Sequence, residues 1–186
     1  MMSWDVLTDP ERLSWKGDPL KSVGPLAFGM TPDEVEAAVR GDLRVAATDG
    51  AAGAGIHAMH FCLDTSSDAR FPGSAVHAYF SSPDGLSGVA IDARWGPQVT
   101  LAGIPLVGQT PSVLASRFVD YLIALDHWIR YSGEGEPCSP DLGVVLRVQR
   151  AGDRVLSRPI MVAEVWTDRC WDGHEGFIPE EEWRTF

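Results

Sequence analysis

The sequence is short of cysteine, of long apolar runs and of basic residues, and each shortage removes a class of protein. Cys62, Cys138 and Cys170 are odd in number, widely spaced and without a CxxC pair. They fit reduced thiols better than a disulfide framework, with a single Cys138–Cys170 bridge as the alternative. No stretch approaches the roughly 18 consecutive apolar residues of a membrane span. Lysine and arginine together number 15 against 26 acids, a formal net charge of −11. Such a surface repels phosphate and disfavours nucleic-acid binding through counterion release. It attracts and steers a basic partner, although charge of this size also serves solubility alone. The opening MMSWDVLTDPERLSW carries acids where a secretory signal has a basic start and an apolar run, so the expected location is cytoplasmic.

Chemical signatures are missing as well. There is no nucleophile elbow, Walker loop or dinucleotide fingerprint. The glycine-rich GAAGAG from Gly50 to Gly55 precedes a strand instead of opening a helix, and is taken as a connector, since a phosphate cradle needs helix-terminal N–H groups. His60, Cys62 and His77 share one strand face in soft-ligand chemistry, but a fourth ligand is lacking. Cys170 and His174 have helical ligand spacing, yet Gly173 and Gly176 argue for a loop. Asp168 and Asp172 are an acid pair without any sign of burial. The expectation is no catalytic residue, no cofactor and no metal.

What is present is architecture. In LAFGMTPDEVEAAV, Leu26 to Val39, Thr31 is an N-cap, Pro32 occupies the first helical position and Glu34 completes a capping box. Val35, Ala38 and Val39 form an apolar stripe that ends at Gly41, a helix of about three turns. Shifted by 79 positions, PLVGQTPSVLASRF repeats the pattern: Gly24, Gly29, Thr31 and Pro32 meet Gly103, Gly108, Thr110 and Pro111. The second helix carries Leu114, Phe118, Tyr121, Leu122 and Leu125 and is expected to continue toward Ile129. Strand patterns follow each helix. IHAMHFCL, SAVHAYFSS and LSGVAIDA, with a turn at SPDG, come after the first; LGVVLRVQR and RPIMVAEVWTDR, split by AGD, come after the second. SGEGEPCSPD, from Ser132 to Asp141, is expected to be the mobile loop.

The expected fold class is therefore α+β: two tandem repeats, each with one or two helices packed on one face of an antiparallel β-sheet. An extension over residues 1–21 precedes repeats at 22–102 and 103–186, which could also form one continuous domain. At 186 residues the chain buries roughly 70% of its extended surface and needs no disulfide or metal staple. Alternation puts Met59, Phe61 and Leu63, Val76, Ala78 and Phe80, and Met161, Ala163 and Val165 toward the helices. The opposite face then bears His60, Cys62, His77, Tyr79, Ile160, Val162, Glu164, Trp166 and Asp168. Aromatics flanked by charge suit protein recognition. Trp166 is equally suited to burial beneath the termini.

The FGMTPDEVEAAV helix entrance resembles that of the β-lactamase inhibitory protein family and of the small lipoprotein of the outer-membrane β-barrel assembly machine. The resemblance implies a tandem α+β fold whose exposed sheet face binds another protein. Those families are exported, and the inhibitor's cysteine pairs have no counterpart here. The functional expectation is a non-enzymatic acidic protein-binding module, an immunity or inhibitor protein neutralising a partner enzyme with a basic surface. Its contact residues are Tyr79, Glu164, Trp166 and Asp168, with Trp171, Asp172 and Glu175 as a rim. The alternatives are a small-ligand- or metal-binding protein or enzyme with a site between the repeats, and a structural subunit.

Overall fold

In the computed structural model, residues 4–50, 57–64, 73–169 and 178–184 are described. Thr31 and Pro32 open helix α1, Pro32–Val39, as their chemistry requires. The Thr31 hydroxyl accepts from the Glu34 backbone N–H, and the Glu34 carboxylate accepts from Thr31 N at 2.8 Å. The helix has 8 residues and is shorter than its pattern implies, because the chain leaves it at Arg40 before Gly41. Helix α2 spans Pro111–Ala124. It stops short of Ile129: Asp126 takes a left-handed φ of 56°, and the His127 N–H returns to the Leu122 carbonyl.

Among the described residues, thirteen strands make two sheets. The smaller combines β1 (Ser14–Asp18), β2 (Ser22–Val23), β3 (Leu26–Ala27), β8 (Gln98–Leu101) and β9 (Ile104–Pro105) in the order β3-β2-β1-β8-β9. β1 and β8 run parallel, with Ser14 opposite Gln98 and Lys16 opposite Thr100. Thus the segment before Lys21 contributes a strand that ties together distant parts of the chain. It is anchored by buried Trp15, which packs against Gly24, where φ is +58° and a side chain would collide with the indole. It is also anchored by Arg12, whose guanidinium donates to the carbonyls of Gly96 (2.6 Å) and Ala93 (2.8 Å).

The larger sheet contains β4 (Leu43–Asp49), β5 (Ala58–Leu63), β6 (Val76–Ser81), β7 (Gly85–Ile91), β10 (Arg130–Tyr131), β11 (Pro137–Ser139), β12 (Val144–Ala151) and β13 (Arg154–Val162). Its order is β10-β11-β12-β13-β7-β6-β5-β4, all antiparallel. Each helix is thus followed by a four-stranded meander, and the meanders meet through their last strands. β4 and β11 lie in segments without a clean alternation signal. β11 runs through the glycine-rich stretch expected to be mobile, where Pro137, Cys138 and Ser139 are buried.

Both helices and the smaller sheet cover one face of the larger sheet. The principal core lies between them, where Val35 and Val39 of α1 and Leu114, Phe118 and Leu122 of α2 meet Phe61, Val76, Ala78, Val89, Leu146 and Met161. This is the face that alternation assigns to the helices. No helix among the described residues is long and apolar enough to cross a membrane.

The burial pattern along α2 is directly testable. Phe118 is fully buried, whereas Ile123 is 64% exposed. Phe118→Ala should cost roughly 3 to 5 kcal/mol in urea unfolding, and Ile123→Ala about 0.5 kcal/mol or less. Equal losses would place the wrong face of α2 against the sheet.

Candidate functional site

The face of the larger sheet away from the helices is apolar at Ala58, Tyr79, Ala90, Val145, Ile160 and Val162, and Trp166 and Ile178 are buried against it with Trp183 alongside. β13 ends at Val162, and Glu164–Arg169 forms a short 3-10 helix, so strand alternation does not continue through Trp166. The chain instead folds back over β7. Gly88 makes the room, since a Cβ there would sit 2.8 Å from the Trp166 ring. The sequence-derived site divides accordingly. Tyr79 is 3% and Trp166 8% exposed, beneath the C-terminal segment, while Glu164 and Asp168 are exposed. Trp171, Asp172 and Glu175 lie outside the described residues, as do Cys170, His174 and most of the GAAGAG stretch.

A buried carboxylate secures this cover. Glu182, from the 3-10 helix Glu180–Trp183, is 1% exposed. It accepts from His77 Nδ1 at 2.5 Å, from the Tyr79 hydroxyl at 2.5 Å and from Arg158 Nη1, while Arg158 Nη2 donates to its backbone carbonyl at 2.8 Å. One residue further, the Trp183 carbonyl accepts from Arg147 Nη2, and the Arg147 guanidinium lies 5.2 Å from the Trp183 ring centroid. Burial pushes the Glu182 carboxyl up, but the His77 hydrogen bond, the Arg158 charge and the Tyr79 hydroxyl outweigh it. The group is held well below the ordinary carboxylate range. Tyr79 moves oppositely, as burial and then the Glu182 charge raise its phenol far above the usual value and keep it a donor.

Every Glu182 oxygen is engaged, and the carboxylate is buried while the His77 side chain at its edge is 27% exposed. His60 stands directly opposite His77 in register, its ring centroid 4.5 Å away, and its Nε2 lies 2.9 Å from Asp49. Cys62, on the same strand face, turns its thiol to the Arg44 carbonyl at 3.7 Å. No group of three or more metal-ligating side chains occurs among the described residues.

Large exposed apolar side chains lie elsewhere. Past the last buried position of α2, Ile123, Leu125, Trp128 and Tyr131 are 64%, 48%, 66% and 55% exposed. Asp141 holds this turn, accepting from Trp128 N at 2.7 Å and lying 3.4 Å from His127 Nδ1. The Arg130 guanidinium is 5.3 Å from the Trp128 ring centroid. Trp128, Arg130, Pro140 and Asp141 line an open cavity of about 230 Å³. The 3-10 helix Pro140–Leu142 packs against Glu164–Arg169, which brings Val165, 49% exposed, and the acids Glu164 and Asp168 onto the adjoining surface. The available sequence signal was Ile123, an apolar residue outside the Leu114, Phe118, Leu122 stripe. Extending α2 to Ile129 concealed it.

Glu182→Gln leaves Arg158 buried without its counter-charge and should cost roughly 3 kcal/mol near neutral pH. A depressed carboxyl stabilises the fold above its unfolded value of about 4.3, and that contribution is lost as pH falls below it toward the folded value. The gap between wild type and variant in denaturant titrations should therefore narrow in acid; a gap that stays constant below about pH 4 would contradict the clasp. No protein-family model, curated protein or solved structure significantly matches this chain.

Proposed function

We propose that this chain is a non-enzymatic protein-binding module of the immunity or inhibitor kind, acting in the cytoplasm on a partner enzyme with a basic surface. The carrying observation is the exposed set Ile123, Leu125, Trp128 and Tyr131, bordered by Asp141, Glu164 and Asp168. Large aromatics supply contact area at small entropic cost, and the acids orient an approaching cation-rich surface. The net charge of −11 adds long-range steering. In this reading the contact set keeps Glu164 and Asp168 and gains Trp128, while Tyr79 and Trp166, buried with Ile178 and Trp183, leave it.

The same reading takes the two halves as tandem copies, in keeping with the resemblance to the inhibitory protein family. Gly24 and Gly103 sit in tight hairpin turns and Gly29 and Gly108 precede the helix caps, all four with positive φ. Each hairpin is followed by a Thr-Pro helix start and then a four-stranded meander.

Capture from native lysate with the full chain should return a partner that Trp128→Ala binds roughly 30-fold more weakly, with urea stability unchanged. Glu164→Lys should slow association most at low salt. Capture of no protein at low or physiological salt, or equal capture by Trp128→Ala, would refute the reading.

A further inference from the structure

The outer edge of β12 is only half used. β11 pairs with it at Val144 and Val145 alone, whereas on the other side β13 pairs with it from Val144 to Ala151. The reason lies in Pro137, the first residue of β11, which has no N–H to extend the ladder. The Leu146 N–H still meets the Pro137 carbonyl, as the Cys138–Val145 pairing requires; beyond Leu146 no strand lies beside this edge among the described residues. The Gly143 carbonyl accepts from Val162 N, and this sets the alternation. Val145, Arg147 and Gln149 turn their backbone groups toward β13, so Leu146, Val148 and Arg150 turn theirs outward.

A cavity of about 180 Å³ opens on this edge, lined by Leu146 and Val148 of β12, by Leu114 and Ala115 of α2, and by the loop from Glu134 to Pro137. It lies on the α2 side of the sheet, where every second side chain of an added strand would point. The intervening side chains would point to the face that bears Arg147, whose Nη1 is 2.6 Å from Glu136 and Nη2 3.4 Å from Glu134. Glu134, its side chain 62% exposed, is the accessible carboxylate at this end of the edge, while the exposed cation Arg150 lies at the far end and donates to the Gly152 carbonyl.

We propose that the β12 edge from Leu146 to Arg150 is a docking site for an extended segment of a partner protein in which apolar residues alternate with lysine or arginine. The segment adds one strand to the sheet. Its backbone meets the outward groups of Val148 and Arg150, an apolar side chain fills the cavity, and a cationic one meets Glu134. This goes beyond the Trp128 surface, which lies at the opposite end of the β10–β11 hairpin and can be occupied or lost independently.

The test is selection of random extended peptides by display on the immobilised full chain. Enriched sequences should alternate apolar and basic residues and should slow amide exchange at Val148 and Arg150. They should lose at least about tenfold in affinity on Ala115→Trp, which fills the cavity, and on Glu134→Gln, which removes the exposed charge without setting a second cation beside Arg147. Trp128→Ala should leave their binding unchanged. Failure to enrich such sequences, or equal binding to both edge variants, overturns the proposal. So does concentration-dependent dimerisation that Ala115→Trp abolishes, since the edge would then belong to a second copy.

Discussion

Three cross-strand pairs join the meanders into one sheet: Ile160 with Ala90, Met161 with Val89 and Val162 with Gly88. Because β7 and β13 meet antiparallel as the last strands of their meanders, both helices fall on one face, and the small sheet can close the core above them. The other face then has no α-helix to cover it among the described residues. Its apolar residues, Ile160, Val162, Tyr79 and Val145, must be shielded by whatever follows β13. Gly88 is the local condition for that shielding, since its missing side chain admits the Trp166 ring at the point where the chain turns back.

Shielding by a short segment needs more than apolar contact. Ile178 is buried and Trp183 partly buried, and the segment over residues 178–184 is fixed by a carboxylate with three donors and a backbone carbonyl held by Arg147. Buried ion pairs add little net stability relative to apolar packing, but removing one partner is costly, so they favour a single placement. Glu182 accordingly determines where the cover lies.

The features legible in the sequence were those with local causes. The capped start of α1, the Thr-Pro entry of α2, the β12–β13 hairpin at Gly152 and the two-faced strands β5 and β6 all follow from turn chemistry and periodicity over a few residues. Three others depend on distant partners and left no local trace. β1 is a strand because β8 lies beside it, β11 because β12 receives it, and Glu182 is buried because His77, Tyr79 and Arg158 converge on it. Among acids in the run Glu180 to Glu182, nothing local singles out the third. Tyr79 and Trp166 were placed on the correct side of the sheet, but whether that side met water depended on a segment at the far end of the chain. Trp128 was hidden by an apolar pattern that suggested more helix than Asp126 allows.

The proposed recognition surface lies at the margin of the sheet, where Trp128 stands in solvent and Tyr79 and Trp166 do not. Hydroxyl-radical footprinting of the intact chain measures this difference directly. Trp128 and Tyr131 should be oxidised rapidly, with Trp15, Trp166 and Tyr79 protected to the degree their burial implies. Oxidation of Tyr79 and Trp166 as fast as Trp128 would show an open sheet face and contradict the account.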